Sequence, residues 1–257
     1  MSLLGVGAQA AFGYAQTIYL LPMSLLGTGE AAASLPEMAE ETAEEDAERI
    51  HARIRQRLGA SLARVTILTI PTTFALCFLG HEIIRVLLQS GSFDTEATQR
   101  VDRLLVAYSF ALLGNASGRV LTTTAYAIGD TKTPARYAIY RVIASTVGAV
   151  VLMQSFDAMG VVLGAVIAAW VETIALGLKL RARLGGLGLE QVPLGKALAL
   201  GALSLAPALG LSHVLPESFA RSFVGASLVL GAFCTAFAVA APALGLFNVR
   251  SLLRRRR

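Results

Sequence analysis

Seven long apolar stretches, separated by short polar connections, constrain this 257-residue chain more than any other feature of its sequence. They cover residues 10–35, 62–80, 104–128, 135–156, 160–178, 197–215 and 223–247. Each stretch is long enough to cross a hydrocarbon core of ~30 Å as an α-helix rising ~1.5 Å per residue. The runs are continuous and do not alternate, which argues against membrane β-strands. The sequence therefore predicts an all-α, polytopic membrane bundle of about seven transmembrane helices.

The composition also excludes most soluble classes of protein. Only 15% of the residues are charged, whereas a typical soluble domain has ~25%. The net charge of +5 does not indicate a nucleic-acid partner, because the basic residues collect in the gaps between apolar stretches. The sequence contains no zinc-hydrolase, serine-hydrolase, P-loop or dinucleotide-binding motif. It predicts a transporter and not an enzyme, without metal or cofactor, so transport must use an ion gradient, the membrane potential or a downhill substrate.

Lys and Arg are distributed unequally between the two sides of the predicted bundle. One side carries 15 of them, within residues 36–58, 129–136, 178–196 and 250–257. The other side carries four, within residues 80–103, 155–160 and 214–221. Because cytoplasmic loops are enriched in Lys and Arg, the C-terminus is predicted to be cytoplasmic. With seven spans, the N-terminus is then predicted to lie on the opposite side of the membrane. Because the chain starts there within an apolar run that has no flanking charge, it is expected to lack its true beginning.

Charged side chains inside the predicted spans are the strongest functional candidates, because a charge in lipid is unfavourable unless it is paired or hydrated. Arg119 lies in the middle of the third stretch, Glu172 late in the fifth and Glu30 late in the first. We interpret Arg119 either as lining a polar cavity or substrate path, or as a structural partner of Glu172 or Glu30. Arg64 and Arg141 lie near cytoplasmic ends, where their charged groups can reach the interface.

Two connections carry local signals. Residues 36–58 are acidic and then basic, which predicts a solvated cytoplasmic helix, with docking of a partner as the alternative interpretation. Gly129 and Asp130 predict a tight turn. Thr133 and Pro134 predict the N-cap and the first residue of the next helix.

Several segments resemble the MurJ/MviN family, in the same order and with similar spacing. They are Tyr14 to Gly27 followed by Leu35-Pro36-Glu37-Met38, Ile84 to Leu88 followed by Gly91-Ser-Phe-Asp94, Tyr126 to Pro134, and Gly160 to Trp170. Together they extend over most of residues 10–180, whereas the last two apolar stretches match only in hydropathy.

This resemblance implies a fold, a substrate and a location. The family belongs to the multidrug/oligosaccharidyl-lipid/polysaccharide exporter superfamily, and its members flip lipid II, the undecaprenyl-linked peptidoglycan precursor, across the bacterial inner membrane. They have fourteen spans in two lobes around a cationic cavity, and the last two spans form a groove for the lipid tail. This chain resembles the second lobe, over residues 1–185 with about five spans, and the C-terminal pair of helices with its basic tail, over residues 186–257.

The resemblance also implies site residues and partners. Arg119 matches a basic position of the family, whereas Thr17 and Leu20 stand where some members have Arg and Glu. The candidate cavity residues are Arg119, Glu172, Glu30, Gln16 and Thr17. The implied partners are a lipid-linked peptidoglycan precursor, the lipid bilayer, and a missing N-terminal lobe or cell-wall synthesis proteins. Two alternatives stay open: another exporter of the superfamily, for polysaccharide lipids or drugs, and a non-transporting membrane scaffold from a split gene.

Overall fold

The computed structural model describes residues 6–24, 47–88, 95–216, 219 and 222–246, and the regular structure in them is helical. The helices are α1 (Val6–Met23), α2 (Ala47–Phe78), α3 (Gly80–Leu88), α4 (Thr95–Ala127), α5 (Lys132–Leu184), α6 (Leu194–Val214) and α7 (Phe223–Ala243). A short 3-10 turn, Leu189–Gln191, lies between α5 and α6. The all-α prediction is confirmed.

Within the described ranges, five helices are long and apolar enough to cross a membrane: α2, α4, α5, α6 and α7. Helix α5 has 53 residues and leaves the helical conformation at Asp157, where φ is 48° and ψ is −131°. It therefore contains both the fourth and the fifth predicted stretch. Helix α1, with 18 residues, covers part of the first stretch and is not among the five. As far as the described residues extend, each predicted stretch falls on a helix.

The two arms of α5, residues 132–156 and 158–184, form a tightly packed antiparallel hairpin. A Cβ atom built on Gly148 would lie 3.1 Å from the Cα atom of Gly164. Nearer the turn, Gly160 lies against the backbone of Leu152. Residues without a side chain allow two helix backbones to approach closely, which is a common means of packing helices in lipid. The glycines therefore set the spacing and the register of the hairpin.

Helix α4 is the centre of the bundle and packs against α1, α2, α3 and α5. The main hydrophobic core joins α1, α2, α4 and the second arm of α5, together with Ile84 of α3. Helices α6 and α7 pack on each other, with α6 against α2 and α7 against α3, through smaller clusters. The division of the chain at residue 185 stays a prediction.

The charged segment is not a separate helix in its described part. From Ala47 it continues without interruption to Phe78 as α2, and residues 36–46 lie outside the described ranges. Gly59 does not end the helix. A Cβ atom on Gly59 would lie 2.5 Å from the carbonyl oxygen of Gly188, so this glycine lets the loop after α5 approach α2.

Asp130 organises the turn before α5. Its carboxylate accepts hydrogen bonds from the Thr133 backbone N–H at 3.0 Å and from the Thr133 hydroxyl at 2.6 Å, and it pairs with Arg183 at 2.6 Å. The prediction that Thr133 is the N-cap is wrong, because α5 begins at Lys132 and Thr133 donates to the preceding carboxylate. The hydrogen bonds from Thr133, and then the charge of Arg183, hold the pKa of Asp130 below its ordinary value of 3.8.

Replacing Asp130 by alanine should lower the stability of the chain at neutral pH by ~1 kcal/mol, as loss of a helix-capping side chain does. Because the pKa of Asp130 is lowered in the fold, its contribution is complete above pH 3.8 and is lost as the pH falls further. Thermal unfolding in detergent should therefore show a difference between wild type and Asp130→Ala at pH 7 that narrows below pH 3.8. A difference that is independent of pH would show that the charge of Asp130 contributes nothing.

Candidate functional site

Five polar side chains from α1, α4 and α5 lie near one another, and we call them the polar cluster: Tyr19, Asn115, Arg119, Arg141 and Glu172. Tyr19 is buried, whereas Arg119 is exposed on the surface of the bundle. Asn115 and Arg119 lie four residues apart on α4 and therefore share a face of that helix. The Asn115 amide donates to the Tyr19 hydroxyl oxygen at 2.7 Å. The guanidinium groups of Arg119 and Arg141 are both within electrostatic range of the same hydroxyl.

Arg119 is the exposed cation of this cluster. It lies eight residues before the end of α4 at Ala127, or ~12 Å along the helix axis, so it is deep in a bilayer of ~30 Å. Its side chain is exposed on the surface of the chain. Among the residues that the structure describes, no carboxylate lies within ion-pair distance of it. At this depth the guanidinium needs water or an anion beside it.

Glu172 has a different partner from the one considered for it above. Its carboxylate pairs with Arg141 at 2.9 Å, and only 14% of the Glu172 side chain is exposed. The interpretation of Glu172 as the partner of Arg119 is therefore wrong. Arg141, which was expected to reach the membrane interface, forms an ion pair with Glu172 instead. The physical reason is the α5 hairpin, because its antiparallel register places residue 141 opposite residue 172.

The remaining candidates lie outside the cluster or outside the described residues. Gln16 and Thr17 are exposed on α1, and the Thr17 hydroxyl donates to the Gly13 carbonyl oxygen at 2.9 Å. Neither side chain forms a hydrogen bond with the polar cluster in the described part of the chain. Glu30 lies in a range that the structure does not describe.

Sequence reasoning missed Tyr19 and Asn115. The Tyr19 ring is buried and stacks on Tyr108, with 5.2 Å between ring centroids, and Tyr108 in turn packs against Phe12 at 5.9 Å. These rings hold the Tyr19 hydroxyl in place beside Asn115. The available signal was the spacing on α4, since an amide four residues before a mid-span arginine lies on the same helix face.

The polar cluster is suited to binding an anion. Two guanidinium groups and one carboxylate leave it with a net positive charge. Its amide, hydroxyl and guanidinium groups can all donate hydrogen bonds. Arginine can hold phosphate with two parallel hydrogen bonds, which gives both strength and orientation. The geometry therefore favours recognition of a phosphate-like group at membrane depth.

Comparison with known proteins identifies the family. The sequence model described as "Lipid II flippase MurJ" matches residues 1–234. A "Probable lipid II flippase MurJ" from Rickettsia prowazekii is 30% identical over 165 residues, which cover 64% of this chain and 32% of that protein. The "Lipid II flippase MurJ" of Burkholderia cenocepacia is 29% identical over 183 residues, which cover 71% of this chain and 34% of that protein.

A solved structure shares the fold. The structure described as "Lipid II flippase MurJ, inward closed conformation" aligns with a TM-score of 0.72 at 20% sequence identity, over 92% of this chain and 48% of that one. The chain thus spans about a third of the length of these curated relatives and about half of the solved structure. Since the family model covers nearly the whole sequence, the chain is a multi-pass membrane protein that belongs to the lipid II flippase MurJ family.

Proposed function

We propose that this chain takes part in moving a lipid-linked peptidoglycan precursor, lipid II, across the bacterial inner membrane. Arg119 carries this proposal: it is a cation at membrane depth that, within the described residues, has no carboxylate partner. The pyrophosphate of a lipid-linked sugar would supply the missing anion. The name of the matched family supports this substrate.

Each member of the polar cluster has a role in this mechanism. Arg119 binds the pyrophosphate, with Arg141 providing a second positive charge nearby. Glu172 holds Arg141 in position through the pair at 2.9 Å and limits the net charge, so that the substrate can also be released. Asn115 and Tyr19 present polar hydrogen-bonding groups beside Arg119.

Transport by alternating access requires a second lobe that moves against this one. The aligned solved structure is about twice as long as the part that this chain covers, which supports a partner lobe opposite the polar cluster. In this proposal the chain faces that lobe across the cavity, in the inner membrane, with its C-terminus in the cytoplasm. The unequal distribution of Lys and Arg supports this orientation.

Cell-wall synthesis proteins are the further partners in this proposal. An ion gradient or the membrane potential drives the movement of the lipid-linked substrate.

The test is to deplete this protein in its own cells and to measure which side of the membrane lipid II occupies. We expect lipid II to accumulate where an externally added, lipid II-cleaving toxin cannot reach it, and cells to lose their shape and lyse. Re-expression should restore access of the toxin. If depletion blocks the export of another lipid-linked polysaccharide and leaves lipid II accessible, the chain serves a different exporter. If neither lipid moves differently while cell-wall enzymes become mislocalised, the chain is a scaffold.

A further inference from the structure

A cavity of about 310 Å³ lies away from the polar cluster. It is formed by α2, α4, the second arm of α5 and the loop before α6. On α4 it is lined by Ser117, which is two residues from Arg119 and therefore points to a nearly opposite side of the helix. The cavity is therefore separate from the surface that carries Arg119.

The wall of this cavity is mostly apolar, and the cavity opens toward the outside of the bundle. The lining residues include Leu62, Leu113 and Leu121 on the inner side. Ile174, Leu178 and Leu189 form the mouth, and each of these three side chains is more than half exposed. Apolar side chains exposed on the outside of a membrane bundle face lipid. An apolar chain can therefore enter this cavity from the bilayer.

The length and the ends of the cavity match one leaflet. Along α5 the lining begins at Trp170 and ends at Arg181. Eleven residues of helix correspond to ~16 Å, which is about half of a hydrocarbon core of ~30 Å. The apolar part thus reaches from the end at Arg181 to about the middle of the bilayer.

Arg181 supplies a charge at the mouth of the cavity. Its side chain is exposed, and in the described residues no carboxylate pairs with it, whereas the neighbouring Arg183 is occupied by Asp130. Arg181 lies three residues before the end of α5, on the side that is richer in Lys and Arg and is therefore cytoplasmic. The cytoplasmic leaflet carries anionic lipids that are attracted to such residues.

We propose that this cavity binds one acyl chain of an anionic phospholipid of the cytoplasmic leaflet, with its headgroup phosphate on Arg181. The volume is at the lower end of the range for ligand sites and suits a single unbranched chain better than a long, branched polyprenyl chain. The site does not depend on which substrate the chain translocates. A bound phospholipid would fill the space between α2, α4 and α5 on the side away from the polar cluster.

Native mass spectrometry of the purified chain can test this site, with phosphatidylglycerol and phosphatidylethanolamine as probes. Wild type should retain phosphatidylglycerol in preference to phosphatidylethanolamine. Replacing Arg181 by glutamine should weaken phosphatidylglycerol binding about fivefold, the effect of one basic residue near an anionic lipid. The matched control is Lys179→Gln, because Lys179 is also exposed on α5 but does not line the cavity. Equal effects of the two variants would mean general surface attraction and would overturn the proposal.

A second pair of variants tests the cavity itself. At Gly177 an added Cβ atom would make only ordinary contacts, at 3.7 Å, with Leu121 and Leu187. Gly177→Ala should therefore bind phosphatidylglycerol like wild type, whereas Gly177→Leu should fill the cavity and abolish binding, with thermal unfolding confirming that both variants are folded. Undiminished binding to folded Gly177→Leu would overturn the proposal. Displacement of phosphatidylglycerol by undecaprenyl phosphate, but not by further phosphatidylglycerol, would equally overturn it.

Discussion

Replacing Arg119 by alanine should stop the growth of cells that depend on this chain and trap lipid II on the cytoplasmic side, while the amount of chain in the membrane stays unchanged. The side chain is exposed and lies outside the hydrophobic core, so its removal should not affect folding. Hydrogen bonds to charged groups contribute ~1.5–3 kcal/mol, so losing them should slow translocation by about 10- to 100-fold. Growth, immunoblots of membranes and access of a lipid II-cleaving toxin are the measurements.

Two further variants give this experiment its controls. Arg119→Lys should retain part of the activity, because lysine keeps the charge but cannot hold a phosphate with two parallel hydrogen bonds. Arg103→Ala makes the same chemical change on an exposed residue of the same helix, outside the polar cluster, and should behave like wild type. Normal growth of the Arg119→Ala strain would refute a role for Arg119 in substrate binding. Reduced assembly with unchanged lipid II movement would favour the scaffold.

Replacing Gly164 by valine should prevent the α5 hairpin from closing. A Cβ atom at this position would lie 2.6 Å from the backbone nitrogen of Ala149 and 2.8 Å from the carbonyl carbon of Gly148. Both obstructing atoms belong to the backbone, so no side chain can rotate away. The destabilisation should therefore reach or exceed the ~1–3 kcal/mol that overpacking usually causes. The variant should give little monodisperse protein in size-exclusion chromatography and should melt at a lower temperature than wild type.

The same substitution at Gly210 is the matched control. Gly210 also lies in an apolar helix, α6, but an added Cβ atom would meet nothing within 4 Å. Gly210→Val should therefore give folded protein in wild-type yield. Equal losses for the two variants would mean that valine is poorly tolerated in these helices generally, and that close packing at Gly164 is not what holds the hairpin.

Much of the fold could be predicted from the sequence, because hydropathy is a local property. A run of apolar residues long enough to cross the bilayer must satisfy its backbone hydrogen bonds internally, so each stretch was expected to be a helix. The family resemblance, which rested on short segments in order, is confirmed by the match over residues 1–234. Continuity of elements was harder to predict. The charged segment 36–58 was expected to be a solvated helix, whereas its described part continues from Ala47 to Phe78 as one helix with the following apolar stretch.

Less of the candidate site could be predicted. Arg119 stood out because a charge in the middle of an apolar stretch is rare, whereas its surroundings depend on contacts between distant residues. Tyr19 and Asn115 are far apart in the sequence, and only the packing of α1 on α4 brings their side chains to 2.7 Å. The roles of Gln16, Thr17 and Glu30 stay predictions.

By itself, the sequence determined that this chain is a helical membrane protein, which family it belongs to, and which residue places a charge deep in the bilayer. Composition and spacing are enough for the first and the last of these conclusions, since both follow from residues that are neighbours along the chain. The family follows from the resemblance of short ordered segments and from the family match over residues 1–234. Only the tertiary structure decided which charges are paired. Arg141, and not Arg119, neutralises Glu172, because glycines let the arms of α5 pack in a register that brings these two residues together. Among the residues that the structure describes, that pairing leaves Arg119 without a carboxylate partner.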